Sequence, residues 1–265
     1  MESLAKGNLQ GGVPNEAVPP GVMTATYGQD RRTQPHLAFR LETRALIAAQ
    51  VFREFTSTGS GPPSILDLGA ADGATLDRVH RTLGARDSLG IEYAPELIAE
   101  ARDLPADVRL VQGDVTAVHP QVAESSRDLV LALAILEHLE SPVDLFRQAY
   151  RALKPGGLIV ATCPSGFWDE LSGMLRLHPD EHHERAFDRN TFESLAVEGA
   201  FEVVTYRRFM CAPVAFLPYL RIPVASASAL GIDAALRRLR IFDWTFVNQL
   251  FVARKPNGSA GASLL

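Results

Sequence analysis

Short apolar runs alternate with amphipathic segments along most of the chain, and this alternation predicts a parallel β-sheet flanked by helices. Apolar runs predict strands at 65–68, 88–92, 108–112, 128–133 and 158–162. Helical periodicity follows the first, second and fourth of these runs, at 75–83, 95–102 and 142–153. Two further runs, 201–208 and 246–254, predict an antiparallel pair that completes the sheet.

The same pattern sets the expected boundaries of one domain, residues 23–256. Residues 1–22 are rich in Gly, Pro, Asn and Ala without periodicity and predict a flexible arm, and 257–265 predict a disordered tail. A helix is expected over 36–55, before the first strand. Residues 211–240, called the insert below, form an unusually apolar stretch between the last two strands, while 154–157 (Lys-Pro-Gly-Gly) predict a turn.

The first strand ends in Asp67 and Leu68 and leads into a turn that we call the glycine turn, residues 69–73 (Gly-Ala-Ala-Asp-Gly). A strand, a glycine turn and a helix N-terminus together predict a cradle for a nucleotide-like ligand. The dinucleotide pattern G-x-G-x-x-G does not fit, because Gly69 and Gly73 are four apart and Ala71 lies between them. Asp67 would repel a diphosphate but suits a ligand that carries an ammonium group.

Acidic residues end the next two strands. Glu92 lies 25 residues after Asp67, where α/β nucleotide sites bind ribose hydroxyls, and a solvated acid at the strand end is the alternative. Asp114 follows the third strand in Gln-Gly-Asp-Val. The fourth strand continues as Asp-Leu-Val-Leu-Ala-Leu-Ala-Ile-Leu-Glu-His-Leu over 128–139.

The glycine turn, Glu92, the Asp114 segment, the run 128–139 and the 154–157 turn together resemble the class I S-adenosylmethionine-dependent methyltransferases, in their small-molecule branch. The resemblance covers about Phe39 to Arg254. It implies a Rossmann-like α/β three-layer sandwich with a seven-stranded, mostly parallel sheet whose last strand is antiparallel. It implies S-adenosyl-L-methionine as cofactor and S-adenosyl-L-homocysteine as product. The implied cofactor contacts are Arg40, Asp67, Gly69, Ala70, Ala71, Gly73, Glu92, Tyr93, Gly113, Asp114, Val115 and Leu133. Of these, the resemblance implies that Asp114 receives the adenine amino group and that the backbone N–H of Val115 reaches a ring nitrogen, and an Asp114 that only caps a turn is the alternative.

Three histidines are the candidates for catalytic or acceptor-orienting roles, because an imidazole titrates near neutral pH: His138, His182 and His183. A surface loop explains the last two equally well. Some relatives hold a divalent metal with a Glu-x-x-Glu-His run, but Ala134 replaces the first Glu, so we expect no metal. We expect Glu137 and His138 to cap and orient the helix after the fourth strand.

Two segments are expected to cover the acceptor. In the helix at 36–55, Arg40 could pair with the methionine carboxylate of the cofactor, and a solvated arginine is the alternative. The insert, 211–240, is predicted to form a pocket wall or a homodimer surface, with peripheral membrane contact as the second interpretation. Its prolines and the central Arg221 argue against a membrane-spanning helix.

Composition and charge argue against some partners and compartments. A net charge of −5 and a pI near 5.8 argue against a nucleic-acid partner. Two cysteines are too few for a disulfide framework, and no signal-peptide pattern opens the chain, so we expect a cytoplasmic protein. The predicted function is methyl transfer to a small-molecule acceptor, and the apolar insert favours a hydrophobic or lipid-linked one. A non-catalytic cofactor-binding partner protein is the alternative, and a nicotinamide-dependent oxidoreductase is a weaker one.

Overall fold

A computed structural model describes residues 28, 30–31, 33–57, 61–166, 168, 187–239 and 243–258. Its strands are β1 (Ser64–Leu68), β2 (Asp87–Glu92), β3 (Val108–Gln112), β4 (Arg127–Leu133), β5 (Leu153–Pro164), β6 (Glu202–Cys211) and β7 (Phe246–Arg254). Its helices are α1 (Pro35–Phe55), α2 (Ala74–Leu83), α3 (Pro95–Ala99), α4 (Pro142–Ala152), α5 (Arg189–Glu198), α6 (Ala212–Ala215) and α7 (Ser226–Arg237). The predicted arm at 1–22 and most of the predicted tail lie outside these residues.

The strands form one seven-stranded sheet in the order β3-β2-β1-β4-β5-β7-β6. The first five strands are parallel, and β7 runs antiparallel between β5 and β6. The predicted class I methyltransferase architecture is thereby confirmed. The carboxyl ends of β1 to β5 define one edge of the sheet, called the carboxyl edge below, where ligands of open α/β sheets bind.

Apolar side chains cover both faces of the sheet and explain where the helices pack. On one face Ile47 and Val51 of α1 and Leu76 of α2 join sheet residues such as Val160 in one buried cluster. On the other face Phe146 of α4, with Phe192 of α5 and Phe251 of β7, belongs to a second cluster. The spacing of Leu145, Phe146, Ala149 and Ala152 along α4 is the periodicity that the sequence shows.

The N-terminal half of α1 lies at the carboxyl edge, and two contacts fix this direction. Arg44 Nη2 is 3.4 Å from Asn248 Oδ1, and Asn248 pairs with Pro164 at the carboxyl end of β5. At the opposite end of the helix, Arg254 Nη2 donates to the carbonyl of Phe55 at 2.7 Å.

The largest differences from the predicted boundaries are at 95–102 and 154–157, and β6 also extends to Cys211 beyond the predicted 201–208. The helix expected over 95–102 ends at Ala99, because the backbone turns away and Asp103 takes a positive φ of 54°. The turn expected at 154–157 is an irregularity within β5, which begins at Leu153. Arg127 pairs with Leu153 and Leu129 with Leu158, so extra residues of β5 bulge between them, with Gly156 at φ 79°.

The insert folds against α1 instead of extending as one helix. Val214, Phe216, Val224 and Leu230 pack on the α1 side of the core, and Thr43 Oγ1 of α1 is 3.0 Å from Ser226 Oγ of α7. Within the described part of the chain, each helix is too short or too polar to cross a membrane.

Candidate active site

The glycine turn reverses the chain sharply after β1. Gly69, Ala71 and Gly73 have φ values of 89°, 50° and 78°, in the left-handed region that favours glycine. The amides of Gly69 and Ala70 both donate to the carbonyl of Ile91, at 2.9 and 3.0 Å. A Cβ on Gly69 would lie 2.9 Å from Ile135 Cγ1. The turn therefore needs a glycine at 69, and it accommodates Ala71 at a cost in backbone strain.

Asp67 lies within β1, directly below this turn, and its side chain is buried. Its Oδ1 has no hydrogen-bond partner among the described residues. Burial raises the pKa of Asp67 to about 7; the nearby Arg31 opposes this shift and Glu92 adds to it. A buried carboxyl with an unpartnered oxygen is costly unless a ligand cation or donor satisfies it. This arrangement fits the ammonium group of the expected cofactor.

Glu92 holds the glycine turn in place from the end of β2. Its Oε2 accepts from the amide of Ala71 at 2.8 Å, and its Oε1 accepts from the amide of Ala94 at 3.0 Å. Each carboxylate oxygen can accept a second hydrogen bond, so a ribose role is compatible with these contacts and stays a prediction. The adjacent Tyr93 is exposed, and its carbonyl lies 3.3 Å from Gln112 Nε2.

The segment after β3 forms a side-chain-capped turn. Asp114 Oδ1 accepts from the amide of Thr116 at 2.8 Å and from its hydroxyl at 2.7 Å, while Val115 is buried. The turn-capping alternative for Asp114 is therefore present in the structure, and the adenine role stays a prediction. Gly113 packs closely, since a Cβ there would lie 2.6 Å from His119 Cδ2.

Arg31 is a candidate site residue that the sequence reasoning missed. Its Nη2 donates to Thr75 Oγ1 at 2.5 Å, and its Nη1 is 3.6 Å from Asp72 Oδ1. Its guanidinium is nearly buried and also acts on the charge of Asp67. The residue precedes the periodic part of α1, and no motif in the sequence distinguishes it from the other arginines.

Arg40, the predicted cofactor contact, lies away from the glycine turn and beside the insert. Its guanidinium carbon is 5.8 Å from the ring centroid of Tyr219, which belongs to the insert. The same ring stacks on His36 of α1, with centroids 4.0 Å apart. Thus the structure places Arg31 against the glycine turn and Arg40 against the insert. The pairing of Arg40 with the methionine carboxylate remains a prediction.

The segment after β4 begins with Leu133 at the strand end and Ala134 in a left-handed conformation. Leu136–His138 then form a single 3-10 turn in which Glu137 is buried. Burial and the neighbouring Glu137 raise the pKa of the Cys163 thiol well above its usual range. Glu137 thus contacts the end of β5.

The other predicted catalytic residues, His182 and His183, lie outside the described residues. Among the residues that are described, no three histidine, cysteine or acidic side chains group in a way that could hold a metal ion.

A second buried polar group lies beside the cofactor cradle, at the ends of β5 and β7. Thr162 is fully buried, and its Oγ1 has no hydrogen-bond partner within the described chain. Asn248 of β7 is also buried and accepts from Arg44; it pairs with Pro164, two residues after Thr162 on β5. The rings of Phe216 and Trp168 have centroids 5.7 Å apart and pack against the core cluster on the α1 side of the sheet. Only the insertion of β7 beside β5 brings these residues together, so the linear sequence does not reveal them.

Comparison with known proteins matches part of this chain to methyltransferases. Residues 66–161 match a family model described as a methyltransferase domain. Trans-aconitate 2-methyltransferase from Escherichia coli O157:H7 is 26% identical over 149 residues, which are 54% of this chain and 58% of that protein. The chain thus matches little more than half the length of such relatives.

Solved structures share the fold. A chain from the complex that contains the Haloferax volcanii Trm112 methyltransferase activator superposes with a TM-score of 0.61 and 16% identity, covering 88% of this chain and 95% of that one. Phosphoethanolamine N-methyltransferase 2 from Haemonchus contortus, solved with S-adenosyl-L-methionine, gives a TM-score of 0.57 at 17% identity. That match covers 89% of this chain and 61% of the other. At these identities the likeness establishes the fold alone.

Proposed function

We propose that this chain, which belongs to the class I S-adenosylmethionine-dependent methyltransferase superfamily, transfers a methyl group to a small-molecule acceptor. The observation that carries the proposal is the glycine turn with Asp67 buried beneath it. The turn brings backbone close to a ligand, and Asp67 offers an unpartnered oxygen to a cation. S-adenosyl-L-methionine has an ammonium group and no phosphate.

Each chemical group of this cofactor would have a matching residue in the site. Asp67 would accept from the ammonium. Arg31, with its guanidinium at the start of α2, would bind the methionine carboxylate, the role that the sequence predicts for Arg40. Glu92 would accept from the ribose hydroxyls, and Asp114 with the amide of Val115 would bind adenine. When bound, the cofactor supplies a sulfonium methyl group that is already activated for transfer. The chain's own contribution is therefore to position the acceptor and exclude water.

Electrostatics disfavours a nicotinamide cofactor at this site. Asp67 lies on β1 beneath the glycine turn, where a dinucleotide would place its diphosphate, and a carboxylate there would repel that group. The spacing of Gly69 and Gly73 also departs from the dinucleotide pattern. A non-catalytic protein would bind the same cofactor at the same site but would transfer no methyl group. A methyl-transfer assay therefore distinguishes the two hypotheses.

The acceptor is proposed as a small molecule with apolar character. The rings of Phe216 and Tyr219 in the insert and of Trp168 after β5 pack together and offer an apolar surface. The matched Escherichia coli relative is named for a small organic acid, trans-aconitate. His138, His182 and His183 remain candidates for proton transfer or acceptor orientation.

The test is transfer of a labelled methyl group. The full chain is incubated with methyl-tritiated S-adenosyl-L-methionine and a small-metabolite extract, and labelled products are separated. Gly69→Arg should abolish labelling, because a side chain there meets Ile135 at positive φ. Gly231→Arg is the matched control, since its Cβ would point into open space, and it should retain labelling. Binding of S-adenosyl-L-homocysteine without any labelled product would favour the non-catalytic alternative.

The insert also supports a proposal about partners. In the insert Leu220 is 71% exposed, and Ile222 and Leu239 are exposed as well. Trp244, between the insert and β7, is 62% exposed. With Arg221 beside Leu220, these apolar side chains favour contact with an anionic membrane surface. Co-sedimentation with phosphatidylserine vesicles, but not with phosphatidylcholine vesicles, would support it. Sedimentation of the free chain as a dimer would favour a homodimer surface instead.

A further inference from the structure

Three acidic side chains and one arginine lie around the glycine turn, and all four are buried. Asp67 lies on β1, Asp72 within the turn, and Glu92 at the end of β2. Among the described residues, Arg31 is the cation whose charge acts on Asp67. With every group ionised, three negative charges would share one positive charge in a site shielded from water.

Two of the three acids have partners that satisfy a carboxylate. Asp72 Oδ1 is 3.6 Å from Arg31 Nη1, and Arg31 also donates to Thr75 Oγ1. Both oxygens of Glu92 accept from backbone amides, at 2.8 and 3.0 Å. The positive charge and the amide donors of this site are therefore directed at Asp72 and Glu92.

Asp67 lacks such compensation. Its Oδ1 has no hydrogen-bond partner among the described residues. It pairs with Gly90 of β2 and Leu131 of β4, so neither flanking strand places a charged side chain opposite it. Burial raises the pKa of Asp67 to about 7; the charge of Arg31 opposes this shift and that of Glu92 adds to it. Because an uncompensated buried carboxylate is costly, Asp67 is protonated in the free chain below about pH 7.

The other charged side chains of the elements around the turn face different partners or solvent. In the described chain they are Arg40, Glu42 and Arg44 of α1, Asp77, Arg78, His80 and Arg81 of α2, Glu96 of α3, and Glu137 after β4. His80 and the neighbour of Glu137, His138, carry imidazoles, which titrate near neutral pH. The test below separates their protons from that of Asp67.

We propose that Asp67 holds a proton in the free chain and releases it to solvent when it binds the ammonium group of the cofactor. The inference rests on the proposed methyltransferase function and adds a dependence on pH to cofactor binding. The ammonium group keeps its own protons, so the O–H bond of Asp67 breaks and its proton passes to the buffer. A positive charge next to a carboxyl favours the ionised form, and a binding step that releases a proton strengthens as pH rises.

The first test is calorimetric titration of the full chain with S-adenosyl-L-homocysteine between about pH 5.5 and pH 7.5. Release of one proton with a pKa of about 7 should raise the affinity about tenfold or more across this range. In the middle of the range, the heat of binding should differ between MES and imidazole buffers, because these buffers take up the released proton with different heats.

Two variants assign the proton to its residue. Asp67→Asn imitates the protonated side chain and cannot release a proton, so its affinity should not change with pH. The parent should approach the affinity of this variant only at the acidic end of the range. Asp233→Asn is the matched control, since it replaces another buried acid of raised pKa, on the insert side, and it should keep the parent's dependence on pH.

Three results would overturn the inference and leave the methyltransferase proposal intact. These are equal affinity across the pH range, equal heats in the two buffers, and an undiminished pH dependence in Asp67→Asn. The last result would assign the proton to another group, such as His80 or His138. If Asp67→Asn does not fold, the comparison of buffers on the parent decides alone. Failure of S-adenosyl-L-homocysteine to bind at any pH would instead remove the proposed function itself.

Discussion

Gly90 lies in the middle of β2, between Asp67 of β1 and Leu110 of β3. A Cβ at this position would be 2.5 Å from the Cβ of Ala70 in the glycine turn and 2.6 Å from Leu110 Cδ2. Carbon atoms in ordinary contact are about 3.5–4.0 Å apart, so the turn would have to move by roughly 1 Å. Ala70 cannot yield by rotating a side chain, because its Cβ is fixed to the backbone.

The Gly90→Ala variant should therefore lose both stability and cofactor affinity. Overpacking of this kind costs about 1–3 kcal/mol in the free energy of unfolding. Displacement of the glycine turn should weaken S-adenosyl-L-homocysteine binding at least tenfold, which corresponds to about 1.4 kcal/mol. Urea denaturation measures the first effect and calorimetric titration the second.

Gly231→Ala is the matched control for this variant. Gly231 lies within α7, and its added Cβ would meet nothing within 4 Å. The substitution should raise the free energy of unfolding by about 0.5–1 kcal/mol, because alanine is the better helix former, and leave binding unchanged. If Gly90→Ala unfolds at the parent's urea midpoint and binds S-adenosyl-L-homocysteine within twofold of the parent, the described packing of β2 against the turn is wrong.

Three further predictions follow from buried polar groups. Because the pKa of Asp67 is raised to about 7, the folded chain retains a proton that the unfolded chain loses above about pH 4. Stability to urea should therefore fall as pH rises from about 4 to 7, and Asp67→Asn should reduce this slope. Asp233→Asn should cost about 1–3 kcal/mol in urea denaturation, since only one amide oxygen remains for two backbone donors; a smaller loss would refute the contacts. Cys163 and Cys211, buried with raised pKa values, should react with iodoacetamide only after unfolding, and rapid native labelling would contradict their burial.

The sequence predicts the sheet well because its strands are continuous apolar runs. Residues 108–112 and 246–254 coincide with β3 and β7, and the other strand boundaries on the parallel side agree closely except in β5. The difference at 154–157 arises because glycine and proline signal a local irregularity, which here is a bulge inside a strand. Such a signal does not distinguish a bulge from a turn.

Side-chain partners across the site are harder to predict, since they depend on how distant segments meet. No motif in the sequence distinguishes Arg31 from Arg40. Only the path of the chain before α1 places Arg31 at Thr75. Asn248 and Thr162 become neighbours because β7 inserts beside β5, more than eighty residues later in the chain. The capping of the Asp114 turn by Thr116 is local, and the sequence reasoning kept that alternative open.

The central claim is that the glycine turn and Asp67 bind S-adenosyl-L-methionine. Its most direct test is calorimetric titration of the full chain with S-adenosyl-L-homocysteine and, separately, with NADH, repeated on Asp67→Ala. The account predicts micromolar binding of S-adenosyl-L-homocysteine, weakened at least tenfold in the variant, and no binding of NADH. Binding of NADH in place of S-adenosyl-L-homocysteine, or equal affinity of parent and variant, would contradict it.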